Sequence, residues 1–195
     1  PDACAVVDLA MSVPLGAGGL RFLPFVNGGG GVTAGFVGLK SHHTRGDMAR
    51  AVVDAVAALH ARHTARLAAG GLPVSASTVL GGGASDTRLV RLLAGLLGHP
   101  VERCADDETG ARGAAIYAAR SQGIDPHPLH ANCDTVEPDA SQARAHADFN
   151  ASFNELIATM SPVFGHLAGH APERAPQPPA ATAAPVPPQR VEALP

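Results

Sequence analysis

STVLGGGASDTRLVRLLAGLLG, residues 77–98, sets a β-branched apolar run against three glycines, then a small polar residue, then a leucine-rich helical pattern. Strand, glycine turn and helix in that order form a place where a ligand can meet the backbone. A helix N-terminus offers unpaired N–H groups and partial positive charge, which favour phosphate. Glycines ahead of it let a ligand approach without a Cβ in the way. Gly81, Gly82 and Gly83 suit this role, with Ser85 or Asp86 as the cap of the following helix. No GK[ST] follows, so the run is not a Walker A loop, and it does not spell GxGxxG. A tight strand-to-helix turn needing positive φ accounts for the glycines equally well.

The neighbouring segments alternate between strand and helix. VSASTVL (74–80) is the strand that feeds the glycines. Leu89, Leu92, Leu93, Leu96 and Leu97 stripe the helix, and Gly98 with Pro100 ends it. PVERCA (100–105) reads as the next strand. TGARGAAIYAARSQG (109–123) reads as a helix whose Ala114, Ala115, Ala118 and Ala119 face lies close to a sheet or ligand loop. Upstream, GLRFLPFVNG (19–28) and AGFVGLK (34–40) read as strands, with Pro24 marking an edge or bulge. Thr44 and Asp47 resemble an acidic capping box opening a long helix, with Val52, Val56, Leu59, His63 and Leu67 on one face. Gly70 and Gly71 stop it. Residues 126–134 read as a loop. Phe149, Phe153, Leu156, Ile157, Met160, Phe164 and Leu167 mark a final amphipathic helix. Such alternation predicts an α/β fold, with an antiparallel start joined to a parallel βαβ part.

Composition narrows the function classes. Hydrophobic residues make up 46% and charged residues 16%, enough apolar material for a packed core. Net charge is −3 with no run of Lys and Arg, which argues against a nucleic-acid groove. No apolar stretch reaches the ~18 residues of a membrane span, and no secretory signal opens the chain. Cys4, Cys104 and Cys133 make no metal spacing and are expected as reduced thiols in a cytoplasmic protein. The Pro/Ala-rich segment 170–195 is expected as a disordered tail.

Other chemistry-bearing residues have ordinary readings. His60 and His63 lie i, i+3 on a helix without a third ligand, and one is expected on the surface and one half-buried. His42 and His43 precede the Thr44 cap in a loop. Asp106, Asp107 and Glu108 form the densest carboxylate cluster and are expected to cap and charge a helix N-terminus.

Four blocks in order resemble the C-terminal domain of FGGY-type carbohydrate kinases. They are GLRFLPFVNG, GFVGLKSHHTRGDMARAVVDAVAALHARH, VLGGGASDTRLVRLLAGLLGHPVE and ETGARGAAIYAARSQGI. The resemblance covers half to two-thirds of the chain. It implies an actin/hexokinase-like (RNase H-like) ATPase domain, incomplete, with a mixed sheet and flanking helices. It also implies phosphoryl transfer from ATP, with Mg2+, to a sugar or polyol hydroxyl. On that carry-over Gly81, Gly82 and Gly83 lie against the nucleotide, and Ala84, Ser85 and Thr87 line its adenosine side. The sequence departs from the family in three ways. NGGGGVTAGF is shorter than the family's stretch and lacks its Glu-Arg-x-Pro. Asp54-Ala55 stands where Glu-Gly is preferred. The sugar-binding N-terminal half and the segment bearing the catalytic Asp are absent, so no catalytic base is assigned.

The chain, opening at Pro1, therefore reads as a fragment or truncated form. Residues 1–15 are expected as the remnant of a preceding helix or linker, and 16–125 as the FGGY-type domain. Residues 126–169 are expected as loop plus amphipathic helix, and 170–195 as tail. The expected role is nucleotide binding in a sugar or polyol kinase whose substrate sits on the missing half, with this chain inactive alone. The alternative is a non-catalytic remnant acting as a folded interaction module. No feature sets an oligomeric state.

Overall fold

The computed structural model describes residues 3–28, 31–104, 108–126 and 133–169. Asp106, Asp107, most of the 126–134 loop and the 170–195 tail lie outside them.

The long helix α2 (Arg45–Ala69) organises one side of the molecule. Thr44 accepts the Asp47 N–H at 3.3 Å and the Asp47 carboxylate accepts the Thr44 N–H at 2.7 Å, so the capping box forms as read. Gly70 closes the helix. Its buried face, however, is not the Val52-to-Leu67 stripe. Ala51, Ala55, Ala57 and Ala58 are buried with Arg50 and Asp54, while Val56, His63 and Leu67 are exposed. Alanines let neighbouring helices approach closely, which outweighs the larger payload of the valine stripe. Against α2 pack α1 (Ala3–Met11), α3 (Thr87–Leu97) and α5 (Ala143–Gly169). Phe149, Phe153 and Ile157 of α5 join Leu23, Leu92 and Leu96 in the main core. Leu167, read as part of the same stripe, is exposed beyond the core's edge.

Two separate sheets form among the described residues. β1 (Arg21–Leu23) and β2 (Gly35–Val37) pair antiparallel, Phe22 opposite Phe36. β1 ends before Pro24, which has no N–H for a ladder. The second sheet has the order β3-β4-β5, from β3 (Ser77–Leu80), β4 (Val101–Cys104) and β5 (Asp134–Val136). β3 and β4 are parallel, and β5 is antiparallel to β4. The early antiparallel pair therefore stands apart from the parallel unit rather than joining it. β5 occupies the end of the expected loop and the residues just after it.

Cys104 and Cys133 are disulfide-bonded, and Cys4 is free. This corrects the expectation of three reduced thiols. Arg103 opposes Asp134, so the bond falls one step further along the same ladder, between directly opposed positions. α4 (Thr109–Ser121) buries no side chain. Its Ala114, Ala115 and Ala118 are exposed, so the close packing expected of that face is not made. No described helix is long and apolar enough to cross a membrane.

Candidate functional site

β3 delivers the chain into a 3-10 turn, Gly81–Ala84, which hands over to α3. Positive φ is needed at Gly81 alone, at +71°. Gly82 and Gly83 have no such requirement. A Cβ on Gly82 would meet nothing within 4 Å, and one on Gly83 would only touch Val79 Cγ1 at 3.8 Å. Both are exposed. The turn's own geometry thus explains one glycine of three.

The remaining expected residues divide by placement. Ala84 is fully buried, so its methyl group anchors the turn instead of facing outward. Ser85 is exposed, and both its N–H and its hydroxyl donate to the Gly82 carbonyl, at 3.3 and 2.7 Å. Thr87 accepts Arg103 Nη1 at 2.9 Å, and Arg103 also pairs with Asp134 at 3.0 Å. Gly81, Gly82, Gly83 and Ser85 therefore share one surface turn, with Ala84 and Thr87 supporting it.

Electrostatics at the helix end favour a neutral or cationic neighbour over a phosphate. Asp86 is the N-cap of α3 and accepts the Arg88 N–H at 2.8 Å. Hydrogen bonding from the Arg88 side chain holds the Asp86 carboxyl below its ordinary range, so it stays ionised. Arg88 bridges Asp86 and Asp8, both at 2.6 Å, which raises its own pKa. The dipole of α3 is thus already met by a carboxylate.

Sequence reasoning did not single out Thr109. A Cβ on Gly81 would lie 3.8 Å from Thr109 Oγ1, so the first turn of α4 flanks the glycine turn. The signal was the TGARGAA block, read as a helix but not joined to the turn. Glu108 sits at the N-cap position of α4, the kind of place expected of it, but without a side-chain capping bond. His60 and His63 are both exposed, and His43 Nδ1 accepts the Lys40 N–H at 2.9 Å in its loop.

Asp54 is the most buried carboxylate described, at 1% exposure, and its setting is structural. It accepts Arg50 Nε at 2.7 Å and the Gly16 N–H at 2.8 Å, tying the loop before β1 to α2. Burial pushes its pKa up, and Arg50 and the Gly16 N–H oppose that. Among the described residues no three His, Cys, Asp or Glu side chains gather to hold a metal ion. The described residues thus offer no all-protein cage for Mg2+.

A second feature lies beside the turn. A groove of about 570 Å³ runs between α2, α3 and β3, and touches the turn only at Gly83. Its walls are mainly apolar, with the polar His60, Thr64, Ser77 and Thr78 among them.

Comparison with known proteins converges on one family. The sequence model described as "FGGY family of carbohydrate kinases, C-terminal domain" matches residues 7–122. The L-xylulose/3-keto-L-gulonate kinase of Escherichia coli is 29% identical over 168 residues, which are 82% of this chain and 34% of that protein. A glycerol kinase of Leptothrix cholodnii is 38% identical over 134 residues, 63% of this chain and 27% of its own length. Among solved structures, xylulose kinase from Rhodospirillum rubrum matches with a TM-score of 0.66 and 30% identity, over 83% of this chain and 34% of that one. The chain spans about a quarter to a third of the length of the relatives it matches.

Proposed function

The chain belongs to the FGGY family of carbohydrate kinases, and we propose that it supplies nucleotide-binding surface to an ATP-dependent sugar or polyol kinase. The turn at Gly81, Gly82, Gly83, Ala84, Ser85 and Thr87 is the site. One observation carries this: Gly82 and Gly83 are bare, exposed and not demanded by the backbone. A flat group can lie on such a stretch at van der Waals distance, and a side chain there would block it. With Asp86 ionised at the helix end, the adenine and ribose lie against the turn and Thr109, and the phosphates point away from α3.

ATP, with Mg2+ travelling on its phosphates, is the donor, and a sugar or polyol is the acceptor. Phosphoryl transfer depends chiefly on positioning and charge neutralisation. This chain's share is to position the nucleoside. No residue of it is assigned as the base that takes the hydroxyl proton, so the chain by itself does not turn over substrate. We place it in the cytoplasm, where ATP is available, although the Cys104–Cys133 bond itself is more typical of oxidising compartments.

A ligand that binds only the folded chain raises its stability. Millimolar ADP should lift the melting temperature by about 3–6 °C, the effect of ~1.4 kcal/mol in a chain of this size. Gly83→Val should fold normally, since its Cβ meets only Val79 at 3.8 Å, and should lose the shift. An unchanged wild-type melting point in ADP, or an equal shift in Gly83→Val, removes the site. The second reading, a folded interaction module without its own nucleotide, gains from that same negative result.

A further inference from the structure

We infer that Cys104–Cys133 is a thiol–disulfide exchange site for an external dithiol, attacked at Cys133, and that its redox state governs nucleotide binding at the glycine turn by holding α4 beside it.

The two sulfurs differ in access. Cys104 is 2% exposed, whereas Cys133 is an exposed residue. Exchange needs an approaching thiolate, so it begins at Cys133. The thiolate of the dithiol bonds to Cys133 Sγ. The Cys104–Cys133 bond breaks, and Cys104 leaves as a thiolate and takes up a proton. The second sulfur of the dithiol then attacks the mixed disulfide and releases Cys133 as a thiol. Two electrons pass to the chain, and the dithiol ends as a disulfide. In a reducing compartment a disulfide is as a rule transient or redox-sensing. The cytoplasmic placement proposed for this chain therefore favours exchange over a fixed cross-link.

Two connections lead from the bond to the turn. Cys104 stands opposite Leu80 on β3, the residue before Gly81. α4 lies wholly between the two cysteines in sequence, so the bond closes it into a ring. Thr109, in the first turn of α4, has its Oγ1 3.8 Å from where a Cβ of Gly81 would lie. α4 buries no side chain, and among the described residues no other element packs on it broadly. Its covalent ends are therefore what hold it there. The other connection starts at Asp134, next to Cys133. Its carboxylate pairs with Arg103 Nε at 3.0 Å, and Arg103 Nη1 donates to Thr87 Oγ1 at 2.9 Å. Opening the bond removes the tether on α4 and loosens the Asp134 end of this chain. Cys104 is not part of the core shared by α2, α3 and α5, so that core survives the opening. The nucleotide consequence rests on the proposed role of the turn.

The test uses the full chain carrying Cys4→Ser, so that no third sulfur exchanges, and dithiothreitol as the dithiol. Thiol titration of the folded protein should count two new thiols after reduction. Tyr117 is the single tyrosine of a chain without tryptophan and lies on α4, so its fluorescence reports that helix alone. Its anisotropy should fall on reduction, while amides of α2 and α5 keep their protection from exchange. ADP affinity should drop roughly tenfold or more, because binding must then order α4. Cys104→Ala/Cys133→Ala should match the reduced chain and ignore the dithiol. A bond that resists dithiothreitol until the chain unfolds overturns the inference. So does an unchanged Tyr117 anisotropy, or a loss of protection in α2 and α5, which would make the bond a structural staple. A dithiol effect that persists in the double variant overturns it as well. ADP bound equally by both redox forms sinks the switch and leaves the site standing, whereas ADP bound by neither removes the site and the switch together.

Discussion

At Gly95 a single hydrogen separates α3 from the ring of His146 on α5. A Cβ there would lie 2.7 Å from His146 Nδ1, and the ring is 5% exposed, so the buried ring would have to shift. Gly95→Ala should therefore destabilise the fold by about 1–3 kcal/mol, although alanine is the better helix former by ~1 kcal/mol. Urea denaturation of Gly95→Ala, with Gly95→Ala/His146→Ala as the relieving control, measures this. His146 has a second consequence. Burial lowers its pKa, Asp139 opposes that, and Arg50 adds to it. A folded-state value below the unfolded ~6.5 means that the fold prefers neutral His146. That stabilisation is present above the unfolded pKa and is lost as pH falls through the folded one. Melting temperature should drop on acidification below about pH 6.5, and more shallowly in His146→Gln. At this scale the sequence was informative where an effect is local. The Thr44–Asp47 cap was legible, being three residues long. The Gly95–His146 contact joins residues far apart in the chain, and no pattern around either announces it.

The elements repeat that division. α2 and α3 were legible as helices from their caps and periodicity, and α5 from its periodicity, because these signals are local. Which face of α2 is buried was not, because it depends on how closely α1, α3 and α5 can approach a row of alanines. β5 was invisible for a related reason. Asp134, Thr135 and Val136 make too short a run to alternate, and only the β4 ladder makes them a strand. Cys104–Cys133 pins that ladder. The bond joins residues 29 apart in sequence. Closing a loop of that size stabilises the folded state by roughly 3–4 kcal/mol in the chain-entropy account. Cys133→Ser, or reductant on the wild type, should lower stability by about 2–4 kcal/mol, measured as the urea midpoint. Cys4→Ser, at a free and exposed thiol, should leave it unchanged.

Across the whole molecule, the helices around α2 share one core that includes Phe149, Phe153 and Ile157. β3, β4 and β5 carry a smaller cluster, with Val90, Ala94, Val101 and Val136. The candidate site sits on the side with less buried material. This explains why the order of blocks identified the fold while composition could not: 46% hydrophobic residues promise a core but not its division. For the site, the glycines were legible and their purpose was not. Only the dihedral angles separate Gly81, which the turn requires, from Gly82 and Gly83, which it does not.

The thirteen residues of α4 have no buried side chain, and an isolated helix of that length is marginal in water. Trypsin should reach Arg112 or Arg120 before any site in the core helices. Both arginines fall between the two bonded cysteines, so a nick there opens a ring and not a line. In denaturing gels the nicked protein should migrate as one band without reductant and as two with it. Two bands under both conditions would mean that the sulfurs were never joined in solution.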